Sequence, residues 1–276
     1  MQTSVISFRD DPRTQPYRAV RDRDLAGRGG RFILEGEVVL RTALGDRSRF
    51  AVESVLLAEG RVAALTPLLE TRADLPVYIA PLPVMQEIVG FPIHRGVLAV
   101  GRRGCHAAPA PLLSACPADA LAIGLVGLAN HDNVGGLFRN AAAFGADLVL
   151  MDPATCDPLY RKAIRVSVGA SLTVPFARAA GPHELVDLLE EAGFTAVGLS
   201  PAGAIQLDGA PWPTGRIALL LGPEGEGLPD SILARVRTMR IPMAPGFDSL
   251  NVATAAGIAL HSAFRARAAR TAQPRL

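Results

Sequence analysis

From residue 31 onward the chain repeats one theme: a short run of almost wholly apolar residues, a longer stretch with helical spacing, then another apolar run. No other feature constrains the fold as much. Runs too uniformly apolar to alternate between core and solvent fit strands covered on both faces, and strands separated by helices run parallel. The pattern predicts strands at 31–34, 52–58, 77–80 and 96–100, with helices at 37–44, 63–70 and 84–89. A second series follows, with strands at 121–128, 147–151, 172–176, 195–199, 217–221 and 239–242. Its helices fall at 134–144, 160–168, 183–192 and 231–238, and a last one covers 251–269.

Between the two series, 101–119 is rich in Ala and Pro and loses its period, as a linker does. The expected organisation is therefore an N-terminal arm over 1–30, a small α/β domain over 31–104, a linker over 105–119 and a larger α/β domain over 120–276. The arm mixes Arg and Asp from Arg21 to Asp24, continues into glycines from Gly27 to Gly30, and reads as loose or partly helical.

Composition excludes more than it names. With 276 residues, 49% of them hydrophobic, the chain can bury a sizeable core, so disorder is not expected. The formal net charge is +2, slightly basic before Gly104 and slightly acidic after it, and Lys162 is the sole lysine among 28 basic residues. Charge alone does not announce a nucleic-acid binder. Cys105, Cys116 and Cys156 are odd in number, show no Cys-x-x-Cys spacing and follow no recognisable secretory signal, which fits a reduced, cytoplasmic chain. His106 beside Cys105 lacks two further ligands at zinc spacing, so no metal is expected. No apolar run reaches spanning length, which argues against a membrane protein.

Three segments at strand ends carry candidate chemistry: Asn130 to Asn140 (NHDNVGGLFRN), Leu219 to Asp230 (LLLGPEGEGLPD) and Ile241 to Val252 (IPMAPGFDSLNV). In an open parallel sheet ligands gather beyond the carboxyl ends of the strands, so the three can meet in one crevice. Gly222, Gly225 and Gly227 expose backbone groups for close approach by a flat ring or a sugar. A tight turn into a helix capped by Asp230 is the plainer alternative, and it leaves Glu224 and the three glycines without a purpose. Ser249 and Asn251 lie where helix N–H groups and polar side chains can meet a ligand.

Taken singly, Asn133 reads as a helix N-cap and Arg139 as a solvated arginine. Together they point further, because the guanidinium fork suits a phosphate or an oxygen gaining negative charge. Other candidates carry less. Ser200, within Gly198 to Gly203, misses the nucleophile-elbow spacing, residues 124–127 lack the dinucleotide fingerprint, and His94, His183 and His261 are scattered. The last helix carries an apolar stripe of Val252, Ala255, Ala256, Ala259, Leu260, Ala263 and Phe264, which serves either the chain's own sheet or a subunit interface.

The three segments, in this order, resemble the motifs of the SpoU/TrmH family of RNA 2′-O-ribose methyltransferases, over about residue 120 to the last helix. Residues 31–102 are similar to that family's N-terminal substrate-binding domain, related to a ribosomal protein fold, with the match lying in Phe91 to Val100. The resemblance implies a parallel sheet with helices on both faces and a C-terminal segment threaded into a trefoil knot. It implies S-adenosylmethionine held in a bent shape by backbone around Gly222, Ile241 and Leu250, with Leu199 and Met243 beside them, and no metal. Asn133, Arg139, Glu224, Ser249 and Asn251 occupy the family's polar active-site positions. A homodimer acting on structured tRNA or rRNA, by methyl transfer to a ribose 2′-hydroxyl, completes the expectation.

One departure stands out: Asn130-His131-Asp132 replaces the Asp-Pro often found before the motif Asn, which bears on the local turn and on RNA preference. Arg139 is read as binding the neighbouring phosphate and stabilising the developing alkoxide, because a guanidinium keeps its proton. Two other readings stay open. A non-catalytic RNA-binding relative would keep the fold without transferring methyl, and another nucleotide-using α/β enzyme would leave Ser249 to Asn251 unexplained.

Overall fold

A computed structural model describes residues 2–18, 30–90, 92–93, 95–104, 107–208 and 211–272, without the side chains of 271 and 272. Arg21 to Asp24, Gly27, Phe91, His94, Cys105 and His106 lie outside the described residues. By packing, the chain divides into two units, Met1–Cys105 with Leu159–Thr173, and His106–Pro158 with Val174–Leu276.

The first unit contains β1 (Gln2–Val5), β2 (Arg31–Glu35), α1 (Glu37–Leu44), β3 (Ala51–Ala58), α2 (Val62–Glu70), β4 (Pro76–Ala80), α3 (Leu82–Val89) and β5 (Val97–Arg102). Its sheet has the order β1-β4-β3-β5-β2, with β1, β4 and β3 parallel and β5 antiparallel to both β3 and β2. Of the arm expected to be loose or partly helical, the described residues 2–18 are ordered and in part helical. They supply the edge strand β1 and a 3-10 turn over Pro12–Tyr17, and Tyr17 is fully buried with its hydroxyl 2.7 Å from Ser54 Oγ. Burying so large a ring ties this segment to the core of the unit.

The second unit begins with α4 (Pro109–Ser114), β6 (Leu121–Leu125), α5 (His131–Ala143) and β7 (Leu148–Met151). Next comes α6 (Arg161–Val166), which belongs by packing to the first unit: Ala163 and Ile164 are buried, and the buried carboxylate of Glu35 accepts from Arg161 at 2.7 Å and Arg165 at 3.3 Å. The chain then returns through β8 (Phe176–Arg178), α7 (Pro182–Glu191), β9 (Thr195–Leu199), β10 (Ile205–Gln206), β11 (Ile217–Leu221), α8 (Asp230–Leu233), β12 (Arg237–Arg240) and α9 (Val252–Ala272). The sheet order is β10-β12-β9-β11-β6-β7-β8, parallel throughout.

Every residue of β6 and β11 is buried, as two-sided cover requires. One face, including Ala122, Leu150, Ala218 and Leu220, packs with Leu113 of α4, Leu185 and Leu189 of α7 and Ile232 of α8. Alternation turns Leu121, Ile123 and Leu219 the other way, where α9 meets β11 and is itself crossed by α5.

Two expectations are corrected here. The Ala/Pro stretch is not featureless, because Pro109 opens α4, where a missing N–H costs nothing, and buries Leu113. The helix expected over 231–238 stops at Leu233, since Arg237 and Thr238 pair with β9 instead. Cys116 and Cys156 are free thiols, and burial first, then nearby Asp157, pushes Cys156 up to about 11. No helix among the described residues is long and apolar enough to cross a membrane, and no group of three or more His, Cys, Asp or Glu among them is arranged to hold a metal ion.

Candidate active site

The strand order sets the site. β12, β9, β11 and β6 are consecutive neighbours, so the loops leaving their carboxyl ends stand side by side. Three of these loops enclose a cavity of about 240 Å3: Leu199, Ser200 and Pro201 after β9, Leu221 to Gly225 with Gly227 after β11, and Ile241, Met243, Asp248, Ser249 and Leu250 after β12. Val252 and Ala255 of α9 close its floor.

The β11 loop folds back on itself. A Cβ on Gly222 would collide with the Gly227 carbonyl carbon and lie 2.5 Å from Leu228 N, so only glycine lets the two limbs touch. Gly225 and Gly227 take φ of 89° and 72°, a region other residues rarely adopt. Pro229, not Asp230, precedes α8, and Asp230 is its first residue with no side-chain cap, which corrects the capped-turn alternative.

Beside the cavity three side chains form a closed set. Glu224 Oε1 accepts from Asn133 Nδ2 at 3.1 Å, from Asn251 Nδ2 at 2.6 Å and from Val252 N at 3.4 Å. Asn251 Nδ2 also donates to Asn133 Oδ1 at 2.8 Å. Asn251 Oδ1 accepts from Ala253 N at 3.0 Å and Thr254 N at 3.3 Å, which caps α9 at its start. One carboxylate oxygen thus ties the β11 loop to the first turn of α5 and to the start of α9.

Asn133 is 7% exposed and lies inside the first turn of α5, while the N-cap is Asn130, whose side chain accepts from Asp132 N at 2.8 Å. The N-cap reading of Asn133 is therefore replaced, and Asn130-His131-Asp132 makes a regular helix start without a proline. Small residues let α5 and α9 approach closely: a Cβ on Gly136 would stand 2.8 Å from Ala253 Cβ, and Asn140 Nδ2 donates to Ala253 O at 2.6 Å.

Of the ten residues singled out by sequence, Leu199, Gly222, Glu224, Ile241, Met243, Ser249 and Leu250 line the cavity. Asn133 and Asn251 reach it through Glu224. Arg139 is not brought to it. Six residues along a helix turn the side chain by about 240° and advance it by about 9 Å. Arg139 is accordingly exposed, with no hydrogen bond or ion pair among the described residues. Sequence reasoning set Ser200 aside as a weaker candidate and passed over Pro201 and Asp248; the signal for the first two was their place just past an apolar strand in a Ser-Pro-Ala-Gly turn. His183 meets Ser231 at 3.2 Å and His261 packs on Phe144 at 5.7 Å between ring centroids, both away from the cavity.

Residues 120–261 match the SpoU rRNA Methylase family. An uncharacterized tRNA/rRNA methyltransferase of Mycobacterium bovis is 40% identical over 267 residues, spanning 93% of this chain and 90% of the relative. The methyltransferase AviRb of Streptomyces viridochromogenes, solved in complex with the cofactor AdoMet, superposes with TM-score 0.80 at 25% identity, covering 94% of this chain and 100% of that one. A solved RNA 2′-O ribose methyltransferase gives TM-score 0.77 at 26% identity over 96% of this chain and 100% of its own.

Proposed function

The chain belongs to the SpoU rRNA methylase family, and on that premise we propose that it is an S-adenosylmethionine-dependent methyltransferase acting on a ribose 2′-hydroxyl of tRNA or rRNA. The observation that carries the reading is the cavity bounded by the loops after β9, β11 and β12, with the Asn133, Glu224 and Asn251 set at its edge. Its fit to the cofactor is supported by the tightly folded glycine loop at Gly222, which forms one wall, and by the apolar side chains of Leu199, Leu221, Ile241 and Leu250.

When bound, S-adenosylmethionine would supply an electrophilic methyl group on sulfur: the bond to the ribose oxygen forms as the carbon–sulfur bond breaks, the neutral thioether leaves, and the hydroxyl proton is released, a transfer that requires no metal. The chain's residues position and polarise. Leu199, Gly222, Ile241, Met243 and Leu250 hold the cofactor, largely through backbone. Glu224 fixes Asn133 and Asn251 so that their amides and Ser249 orient the ribose. Arg139, open to solvent and outside the cavity in the RNA-free chain, is assigned to the substrate: it would bind the adjoining phosphate and stabilise the alkoxide once bound RNA draws its side chain toward the site. It is not the base, since a guanidinium keeps its proton. A knotted path of the C-terminal segment belongs to the same reading and rests on the family alone. The test is methyl transfer by the purified chain to cellular tRNA and rRNA, with the 2′-O-methyl sites mapped and a chelator present. Cofactor binding without transfer to either RNA would favour the non-catalytic relative, and no cofactor binding would favour another nucleotide-using enzyme.

RNA capture is assigned to the first unit, in keeping with the domain division read from sequence. Exposed Arg61 and Arg95 flank a shallow recess there, with Arg61 Nε donating to Arg95 O at 3.0 Å. Replacing both with alanine is expected to weaken RNA binding and to reduce its salt dependence by about one to two in the log–log slope. S-adenosylmethionine affinity should hold. Unchanged RNA affinity across a salt series would move recognition to the second unit.

The active form is taken as a homodimer. Val252, Ala256, Ala259, Leu260 and Ala263 are already buried within the chain, so that stripe packs inside. Among the described residues the exposed large apolar side chains of α9 are Ile258, 41% exposed, and Phe264, 45% exposed with its ring 6.4 Å from that of Phe144. Substituting arginine at both should therefore halve the solution mass without unfolding the chain, whereas Ala259→Arg would disrupt the core. Light scattering reads the mass; a wild-type monomer at concentrations giving full activity would refute the dimer.

A further inference from the structure

The loop that enters α5 is held from a side the three motifs do not touch. Just past β7, Asp152 is 4% exposed and Thr155 is 2% exposed, although both are polar. Asp152 Oδ1 accepts from Gly127 N at 3.0 Å, from Thr155 N at 2.8 Å and from Thr155 Oγ1 at 2.6 Å. Thr155 Oγ1 in turn accepts from Leu128 N at 3.3 Å. Cys156 N donates to Leu128 O at 2.8 Å, and Arg178 Nη1 donates to the carbonyls of Asp152 and Thr155, each at 2.8 Å.

These contacts converge on two residues, Gly127 and Leu128, that lie between β6 and the Asn130 cap of α5. The same stretch is fixed on its other side by the glycine loop: Val126 N donates to Leu221 O at 3.0 Å, and a Cβ on Gly127 would come 3.5 Å from Pro223 Cδ. Gly127 itself takes φ of 68°, which leaves the backbone free to turn unless something holds it. Buried polar groups satisfied by backbone N–H groups restrict a loop to one path. That path decides where the first turn of α5 begins, and so whether Asn133 Nδ2 reaches Glu224 Oε1 at 3.1 Å.

We propose that Asp152 and Thr155 are positioning residues for the methyl-transfer site, a clamp that sets the entry of α5 and thereby the pose of Asn133 against Glu224. The inference rests on the methyltransferase reading above. Neither residue lines the cavity, so the clamp acts on catalysis and not on cofactor capture.

The experiment compares wild type with Asp152→Ala, Thr155→Val and Thr155→Ser by single-turnover methyl transfer, S-adenosylmethionine calorimetry and hydrogen exchange of residues 126–133. Valine keeps the shape of threonine but removes the hydroxyl; serine keeps the hydroxyl. Asp152→Ala and Thr155→Val should lower the transfer rate roughly 10- to 100-fold, the range that small misplacements produce. S-adenosylmethionine affinity should stay within about threefold, and Thr155→Ser should recover most of the rate. Exchange at 126–133 should speed up in the two damaging variants and not in β11.

Exchange needs no RNA, so it separates the two claims. Faster exchange in a chain whose wild type transfers no methyl would leave the clamp standing and sink the methyltransferase reading. Unchanged exchange, or faster exchange with an unchanged transfer rate, would overturn the positioning role. Global unfolding of Thr155→Val at the assay temperature would overturn it too, because the hydroxyl would then be a stability staple.

Discussion

Replacing Gly222 with valine is expected to lower S-adenosylmethionine affinity by about 100-fold or more, close to 3 kcal/mol, while the chain stays folded. The reason is steric and local. At Gly222 the β11 loop doubles back so tightly that a Cβ would overlap the Gly227 carbonyl carbon and the Leu228 amide, both backbone atoms with no rotamer to escape into. Overpacking of this kind costs about 1–3 kcal/mol, and the cheapest relief is to open the loop that forms one cavity wall. The damage therefore falls on the pocket more than on β11, whose five residues are buried in the sheet.

Gly225→Ala is the matched control. Nothing lies within 4 Å of its Cβ position, so the substitution costs only the strain of φ at 89°, about 1–2 kcal/mol. It should weaken binding far less. Calorimetry on the RNA-free chain, alongside thermal melts, measures both. If Gly222→Val binds the cofactor as wild type does, the cavity is not where it binds.

How far the sequence reached is clearest at particular residues. The strands at 195–199 and 217–221 and the helix at 37–44 have the observed bounds, because each is short, uniformly patterned and flanked by breakers. β1 escaped because QTSV is an edge strand, mostly exposed, whose partner lies at Pro76 to Ile79. No local period marks such a strand. α4 was hidden by the prolines that start it. The return of Leu159–Thr173 to the first unit was equally invisible, since its signature is the pairing of Glu35 with Arg161, far apart in the chain.

At the site, resemblance supplied identities and topology supplied proximity. Asn133, Glu224 and Asn251 meet only because β6, β11 and the approach to α9 are spatial neighbours, and no spacing rule within one segment could have paired them. The Asp152 and Thr155 clamp carried no motif at all: Asp-Pro-Ala-Thr after a strand reads as an ordinary turn until burial shows what it holds.

Arg139→Ala is expected to reduce the methyl-transfer rate by roughly 100- to 1,000-fold, the loss typical of removing one donor to a developing oxyanion; the role requires bound RNA to draw the Arg139 side chain toward the site, because in the RNA-free chain it is not brought to the cavity. The structure sharpens the reasoning. Arg139 has no partner among the described residues to explain it as a structural arginine, while every other polar member of the proposed site is engaged or lines the cavity. A fork of donors left open to solvent on the helix that carries Asn133 is suited to meet substrate phosphate and alkoxide together. Arg139→Lys keeps the charge and loses the planar two-point geometry, so its rate should fall between those of wild type and the alanine variant. Cofactor affinity should not move in either, because Arg139 is absent from the cavity wall. Raising the pH should rescue the alanine variant only in part, since hydroxide can remove the 2′-hydroxyl proton without replacing the lost stabilisation. Single-turnover transfer across pH, with calorimetry in parallel, reads each of these. Wild-type turnover in Arg139→Ala would make Arg139 an ordinary solvated arginine, and the oxyanion role would have to pass to the amides of Asn133 and Asn251 that Glu224 holds in place.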